Sequence, residues 1–227
     1  MKLTVLGKYG PYPAPGGACS GYLAENGRDK IVMDMGSGTL SRLLSLTDIR
    51  DVTAIFISHL HYDHTGDLLP LCYLLEELEH TVTVYTAYED SDWYRLLFTH
   101  PNLNIINIDE NSKIRLADTV LTFRMLSHTA TDYAVILKGE KTLCYTGDTR
   151  PCAAVEACCR DCDYLLADCS KPEGDTAPHM TVADARRLAQ LYGCKLIATH
   201  QSAAYNPVDD LAPFGITSAE EMKAYLL

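Results

Sequence analysis

Ser58-His59-Leu60-His61-Tyr62-Asp63-His64-Thr65-Gly66-Asp67 is the stretch on which the reading of this chain turns. The apolar, β-branched run Val52 to Ser58 enters it as a strand, and the helical pattern Asp67 to Leu78 leaves it. Between them the spacing H-x-H-x-D-H sets His59, His61, Asp63 and His64 on a loop at a strand end. Imidazole and carboxylate are the ligand types that suit zinc and similar divalent ions, and a strand end gives them one rigid edge from which to converge. The plainer alternative is a histidine-rich loop facing solvent.

A loop with four ligand groups seldom saturates two metals, so further ligands are expected at other strand ends. His128 follows the strand pattern Val120 to Leu126, Asp148 follows Cys144-Tyr145-Thr146-Gly147, and His200 ends the run Lys195 to Thr199. Each alone reads more readily as a structural residue. Taken with the first motif they form an ordered set at the ends of apolar strands, where α/β scaffolds carry functional groups.

Working outward, short strand-like runs continue from Leu3 to Leu6 through Lys195 to Thr199. Helical patterns at Asp67 to Leu78, Glu89 to Leu97, Val155 to Cys162, Thr181 to Tyr192 and Ser218 to Leu226 interrupt them. Several strands adjoin without a helix between, which favours two mixed sheets face to face with helices outside over one doubly wound sheet. The Gly/Pro-rich stretches Gly10 to Gly17 and Lys171 to Asp175 read as loops, not linkers, because strand patterns resume on either side. The 227 residues are therefore expected to form one domain, 1–227.

With 47% apolar and 22% charged residues, the chain is an ordinary globular one. Its apolar runs are strand-sized, too short to span a bilayer, and the N-terminus reads straight into a strand with no signal-like segment. A cytoplasmic location with no membrane partner is the expectation. The formal charge of −11 disfavours tight binding to long nucleic acid. Nine cysteines without a secretory signal read as reduced thiols.

The ordered set His59-x-His61-x-Asp63-His64, His128, Gly147-Asp148-Thr149 and His200, with Asp34 in Met33-Asp34-Met35-Gly36, resembles the metallo-β-lactamase fold superfamily. Asp163-Tyr164-Leu165-Leu166-Ala167-Asp168-Cys169-Ser170, followed by His179-Met180-Thr181, resembles its ribonuclease Z-like branch. The resemblance implies an α/β fold, a four-layer αββα sandwich, with two divalent metal ions, Zn2+ by preference and Mn2+ or Fe2+ as alternatives. It places one metal on His59, His61 and His128, the other on Asp63, His64 and His200, with Asp148 bridging, and a metal-bridging hydroxide as nucleophile. Asp63 is the implied proton acceptor, and His179, oriented by Asp168, the implied contact to the phosphoryl oxygen or leaving group. A homodimer is a further expectation from the family.

Only nineteen residues separate His128 from Asp148, too few for the projecting arm with which ribonuclease Z grips transfer RNA. The expected function is therefore a metal-dependent phosphodiesterase on a small anionic substrate, cyclic phosphates included. The alternatives are a hydrolase of a lactone, thioester, sulfate ester or β-lactam on the same fold, and a metal-containing binding protein without turnover. Tyr133 and Ser202 are candidate substrate contacts, with packing as the competing role for each. His80 and His100 read as surface residues, and the cysteines from Cys152 to Cys169 as buried thiols.

Overall fold

Most strands of this chain lack a clean in-out alternation because both of their faces are covered: β1 (Lys2–Gly7) and β3 (Asp29–Met35) are buried along almost their whole length. The computed structural model describes residues 1–227. The first sheet contains β1, β2 (Gly21–Asn26), β3, β4 (Ala54–Phe56), β5 (Val82–Thr86) and β6 (Leu103–Asn107). The second contains β7 (Lys113–Arg115), β8 (Val120–Met125), β9 (Tyr133–Lys138), β10 (Thr142–Tyr145), β11 (Tyr164–Asp168), β12 (Lys195–Thr199) and β13 (Thr217–Ser218). A last strand, β14 (Ala224–Leu226), returns to the first sheet, giving the orders β14-β1-β2-β3-β4-β5-β6 and β13-β12-β11-β10-β9-β8-β7.

Three apolar cores separate four layers. Between the sheets lie Leu3, Tyr22, Met33, Phe56, Phe123 and Leu166, with Phe56 and Phe123 stacked across the gap at 5.7 Å. Outside the first sheet, Leu43 of α1 (Thr39–Leu44), Leu71 of α3 (Leu68–Glu77) and Leu97 of α4 (Asp92–Phe98) pack on Val32, Ile55 and Val84. Outside the second, Val155 of α5 (Ala153–Asp161), Leu188 of α6 (Val182–Tyr192) and Leu211 of α7 (Val208–Leu211) do the same against Ala167 and Leu196. This is the αββα arrangement of two mixed sheets. No helix is long and apolar enough to cross a membrane.

The C-terminal expectation is corrected. Ser218 to Leu226 does not form a helix, although Ala, Glu, Met, Lys and Leu are good helix formers. Its end pairs antiparallel with β1, Lys2 facing Leu226 and Thr4 facing Ala224. The Glu221 carboxylate accepts from Ala18 N–H at 2.7 Å and pairs with Arg42 at 2.5 Å. An open β1 edge and a half-buried ion pair outweigh local propensity that no helical neighbour supports.

The strands that carry the site run the same way. β4 lies parallel to β3 and β5, and β10, β11 and β12 are mutually parallel. Their carboxyl ends open on one edge of the sandwich, the position where α/β sheets place their ligands.

Candidate metal centre

The H-x-H-x-D-H run leaves β4 and becomes a helical turn, α2 (Tyr62–Thr65), after His61. That turn sends His59 and His61 to one side and Asp63 and His64 to the other. Asp34 anchors the run: its carboxylate accepts from Ser58 N–H at 2.7 Å and Ser58 Oγ–H at 2.8 Å, and Tyr145 OH donates to it at 2.6 Å. Asp34 sits at φ 59° and His200 at φ 51°, left-handed values uncommon outside glycine, and both belong to the site.

Seven side chains converge in two groups that share Asp148. His59, His61, His128 and Asp148 bring their ligand atoms within 4.8 Å of one another, and so do Asp63, His64, Asp148 and His200. In the first group His61 Nδ1 lies 2.9 Å from His59 Nε2 and 3.3 Å from His128 Nε2. In the second, His200 Nε2 lies 3.1 Å from Asp63 Oδ2 and 3.3 Å from Asp148 Oδ1, with His64 Nε2 3.4 Å from the same Asp148 oxygen. The other oxygen, Asp148 Oδ2, faces His59 and His128, each at 3.8 Å. Asp148 thus turns one oxygen to each group.

The donor set fits a pair of divalent cations. A tetrahedral ion with ligands at about 2.1 Å spaces its donors by roughly 3.4 Å, the separation seen here. His59 Nδ1 donates to Asp132 at 2.8 Å, His64 Nδ1 to Asp34 at 2.7 Å, and His128 Nδ1 to the Pro178 carbonyl at 3.0 Å. Each bond commits one ring nitrogen and turns the other inward, as the outer partners of metal-binding histidines do. His64 Nε2 and Asp148 Oδ1 are buried with no hydrogen-bond partner of their own.

Charge tells the same story. Asp34, Asp63, Asp132, Asp148 and Asp168 are all buried around this space. Burial opposes ionisation of Asp63, yet His64 and His200 hold its pKa down to about 2. Burial likewise opposes charge on Asp148, and His200 and His64 pull it well below the carboxylate range. Burial should also neutralise His200, but Asp148 and Asp168 lift it to about 10; Asp148, Asp63 and Asp34 raise His64 in the same way. His200 and His64 are thus both shifted toward the positively charged form, where a cation's charge would be. Burial depresses His59, His61 and His128, leaving those rings neutral as ligands must be.

His179 stands beside the second group, its Nδ1 2.9 Å from Asp168 Oδ2 and 3.7 Å from Asp148 Oδ2, with 15% of its side chain exposed. Asp168 is fully buried, and its carboxylate also accepts from the N–H groups of Thr149 and Ser170. The predicted catalytic pair and all seven predicted ligands are therefore brought together. Tyr133 packs in the inter-sheet core, 8% exposed, and its backbone N–H donates to the Ser58 carbonyl. Ser202 caps its own turn, its Oγ accepting from Ala204 N–H at 3.2 Å. His80 and His100 are half-buried rather than on the open surface.

Two residues of the centre escaped the sequence reading as individuals, although the loop Gly10 to Gly17 is a candidate rim of the site on sequence grounds. Asp132, which holds His59, also accepts from Asp148 N–H at 3.1 Å. Its only signal was an Asp just before the strand that follows His128. Gly10 is the other: a Cβ there would lie 1.9 Å from His200 Nε2, so only glycine lets the early loop cross that ring. Gly147, at φ 62°, meets a similar demand, because a Cβ would lie 2.6 Å from Asp132 Oδ2.

Comparison with known proteins agrees with this geometry. A family model described as a beta-lactamase superfamily domain matches residues 30–200. The "Probable metallo-hydrolase YhfI" of Bacillus subtilis is 31% identical over 211 residues, covering 88% of this chain and 86% of that protein. Its crystal structure superposes with a TM-score of 0.91 at 26% identity, over 99% of this chain and 98% of that one. A ribonuclease Z of Saccharolobus solfataricus is 27% identical over 238 residues, covering 79% of this chain and 81% of that protein. A diphosphatase of the PhnP family shares the fold, with a TM-score of 0.79 at 18% identity over 100% of this chain and 97% of that one.

Proposed function

The chain belongs to the metallo-β-lactamase superfamily, in its ribonuclease Z-like branch, and from that premise we propose that this metallo-hydrolase is a phosphodiesterase acting on a small anionic diester, cyclic phosphates included. The observation that carries the reading is the His179–Asp168 pair, 2.9 Å apart, set against Asp148 at the edge of the ligand cluster. Hydrolysis of a thioester has no need of a second imidazole there, because its thiolate departs without a proton. A phosphodiester does, because its leaving alkoxide must gain a proton.

The seven side chains would hold two divalent cations, zinc by the donor set, which when bound would supply Lewis acidity and lower the pKa of water to around 7. The residues do the rest. Asp148 and the five histidines fix the positions of charge, and their outer partners Asp132, Asp34 and Pro178 prevent the rings from turning. The incoming water gives its proton to Asp63 as its oxygen bonds to phosphorus. As the ester P–O bond breaks, His179 delivers a proton to the departing oxygen, and Asp168 holds the resulting ring in place.

What surrounds the centre supports a small substrate. A cavity of about 350 Å³ beside His61, lined by Leu60, Glu89 and Thr129 to Thr131, has room for a compact substituent. The residues between His128 and Asp148 are occupied by the β9–β10 hairpin, with no projecting arm. With a net charge of −11, these features favour a small diester over long nucleic acid.

Hydrolysis of a small cyclic phosphodiester with an alkyl leaving group, followed by chromatography, with metal content measured on the same sample, tests the proposal. Turnover that vanishes in Asp148→Ala, and falls by roughly 10²–10⁴-fold in His179→Ala with the metal retained, is the expected result. A protein that binds two metals but cleaves only lactones, thioesters or sulfate esters, indifferent to His179→Ala, would overturn it.

A further inference from the structure

At the end of the second sheet remote from the carboxyl edge that carries the metal ligands, three cysteines meet at a surface cavity. Cys159 lies in α5, Cys162 ends that helix, and Cys194 stands between the C-terminus of α6 and the start of β12. The Sγ atoms of Cys159 and Cys194 are 3.3 Å apart, closer than ordinary sulfur–sulfur packing. All nine cysteines are free thiols in this structure.

The cavity has a volume of about 270 Å³, and its walls carry Lys141, Arg160 and Lys195 against a single carboxylate, Asp163. Arg160 lies over the Tyr192 ring at 5.5 Å and Lys195 over the Tyr164 ring at 5.0 Å, so both cations are held at the wall. On a chain of net charge −11, this is a local positive focus with thiols at its floor. Of the two close thiols Cys194 is the more exposed, 9% against 1% for Cys159, so a molecule in the cavity meets Cys194 first.

We propose that this cavity is a thiol–disulfide exchange site for a small anionic disulfide, with Cys194 as the entry thiol and Cys159 as the resolving one. The Cys194 thiolate attacks one sulfur of the disulfide RSSR, forming a Cys194–SR bond and expelling RS⁻, which takes up a proton. Cys159, 3.3 Å away, then attacks the Cys194 sulfur as its thiolate, releasing the second RS⁻. Two protein thiols become one disulfide, and RSSR becomes two RSH. The new bond ties the end of α5 to the start of β12, the strand that leads to His200.

Oxidised glutathione, net negative, and cystamine, net positive, are the probes. The metal-loaded protein is incubated with each at equal concentration, and the products are mapped by peptide mass spectrometry. Expected are a reductant-reversible Cys159–Cys194 disulfide and a reaction at least about tenfold faster with oxidised glutathione, a preference abolished in Arg160→Gln with Lys195→Gln. In the double variant Cys159→Ser, Cys162→Ser, a single glutathione adduct should stop at Cys194. Faster reaction with cystamine would overturn the anionic preference, and adducts confined to other cysteines would overturn the site. Because the readout is a mapped bond on the protein, it is independent of which ester the metal centre cleaves.

Discussion

A single methyl group decides whether half of the metal centre can form. Gly10→Ala would put a carbon 1.9 Å from His200 Nε2, so the ring must leave its place between Asp63 and Asp148. Elemental analysis of the purified variant should show metal content falling from about two ions per chain toward one. Asp132→Asn replaces the carboxyl that His59 Nδ1–H and Asp148 N–H both point at with an amide, while keeping the volume. Metal affinity, measured by competition with a chromophoric chelator, should drop roughly 10–100-fold, with the fold retained. At this scale the sequence was a good guide to the side chains that converge on the candidate centre and a poor guide to those that hold them in place. Ligand spacing is local and chemically restrictive, whereas Asp132 and Gly10 matter only through atoms far away along the chain.

Elements were legible where hydrophobic period and caps agreed. Thr181-Val182-Ala183-Asp184 opens α6 with a reciprocal cap between Thr181 and Asp184, and the helix ends at Gly193 in the left-handed region. Such ends can be read from the chain. The segment after His200 could not be, because its fate is set by β1 and by Arg42, which reaches both the Leu6 carbonyl and Glu221. Arg42→Ala breaks that junction and strands a half-buried carboxylate. We expect a loss of about 2–3 kcal/mol in chemical denaturation, with the metal centre intact in the folded fraction. The short strand β7 and the helical turn α2 also went unforeseen. Each is only three or four residues long, below what periodicity resolves.

For the whole molecule, the buried carboxylates make metal loading a proton-linked event. In the metal-free protein Asp148 and Asp168 hold the His200 pKa up at about 10, so that ring is protonated at pH 8, and Asp148, Asp63 and Asp34 raise His64 in the same direction. Their folded pKa values exceed the unfolded ones, so this contribution to stability is full below about pH 6.5 and is lost as pH rises through about 10. Ligation requires neutral rings, and loading at pH 8 should release at least about one proton per chain, read by calorimetry in buffers of different ionisation enthalpy. Release of none would mean that the rings are already neutral in the metal-free state.

From sequence alone came the ligand types, their order along the chain, the layered α/β architecture and the likeness to a hydrolase family. Those properties reside in local spacing and in hydrophobic patterns that hold whatever the distant neighbours are. Tertiary structure decided that Asp148 offers one oxygen to each ligand group, that Asp132 and Gly10 shape the centre, that β14 closes the first sheet, and that Cys159 meets Cys194. Each of these joins residues far apart in sequence, and their pairing is fixed only when the two sheets pack, because distance through space carries no trace in the spacing along the chain.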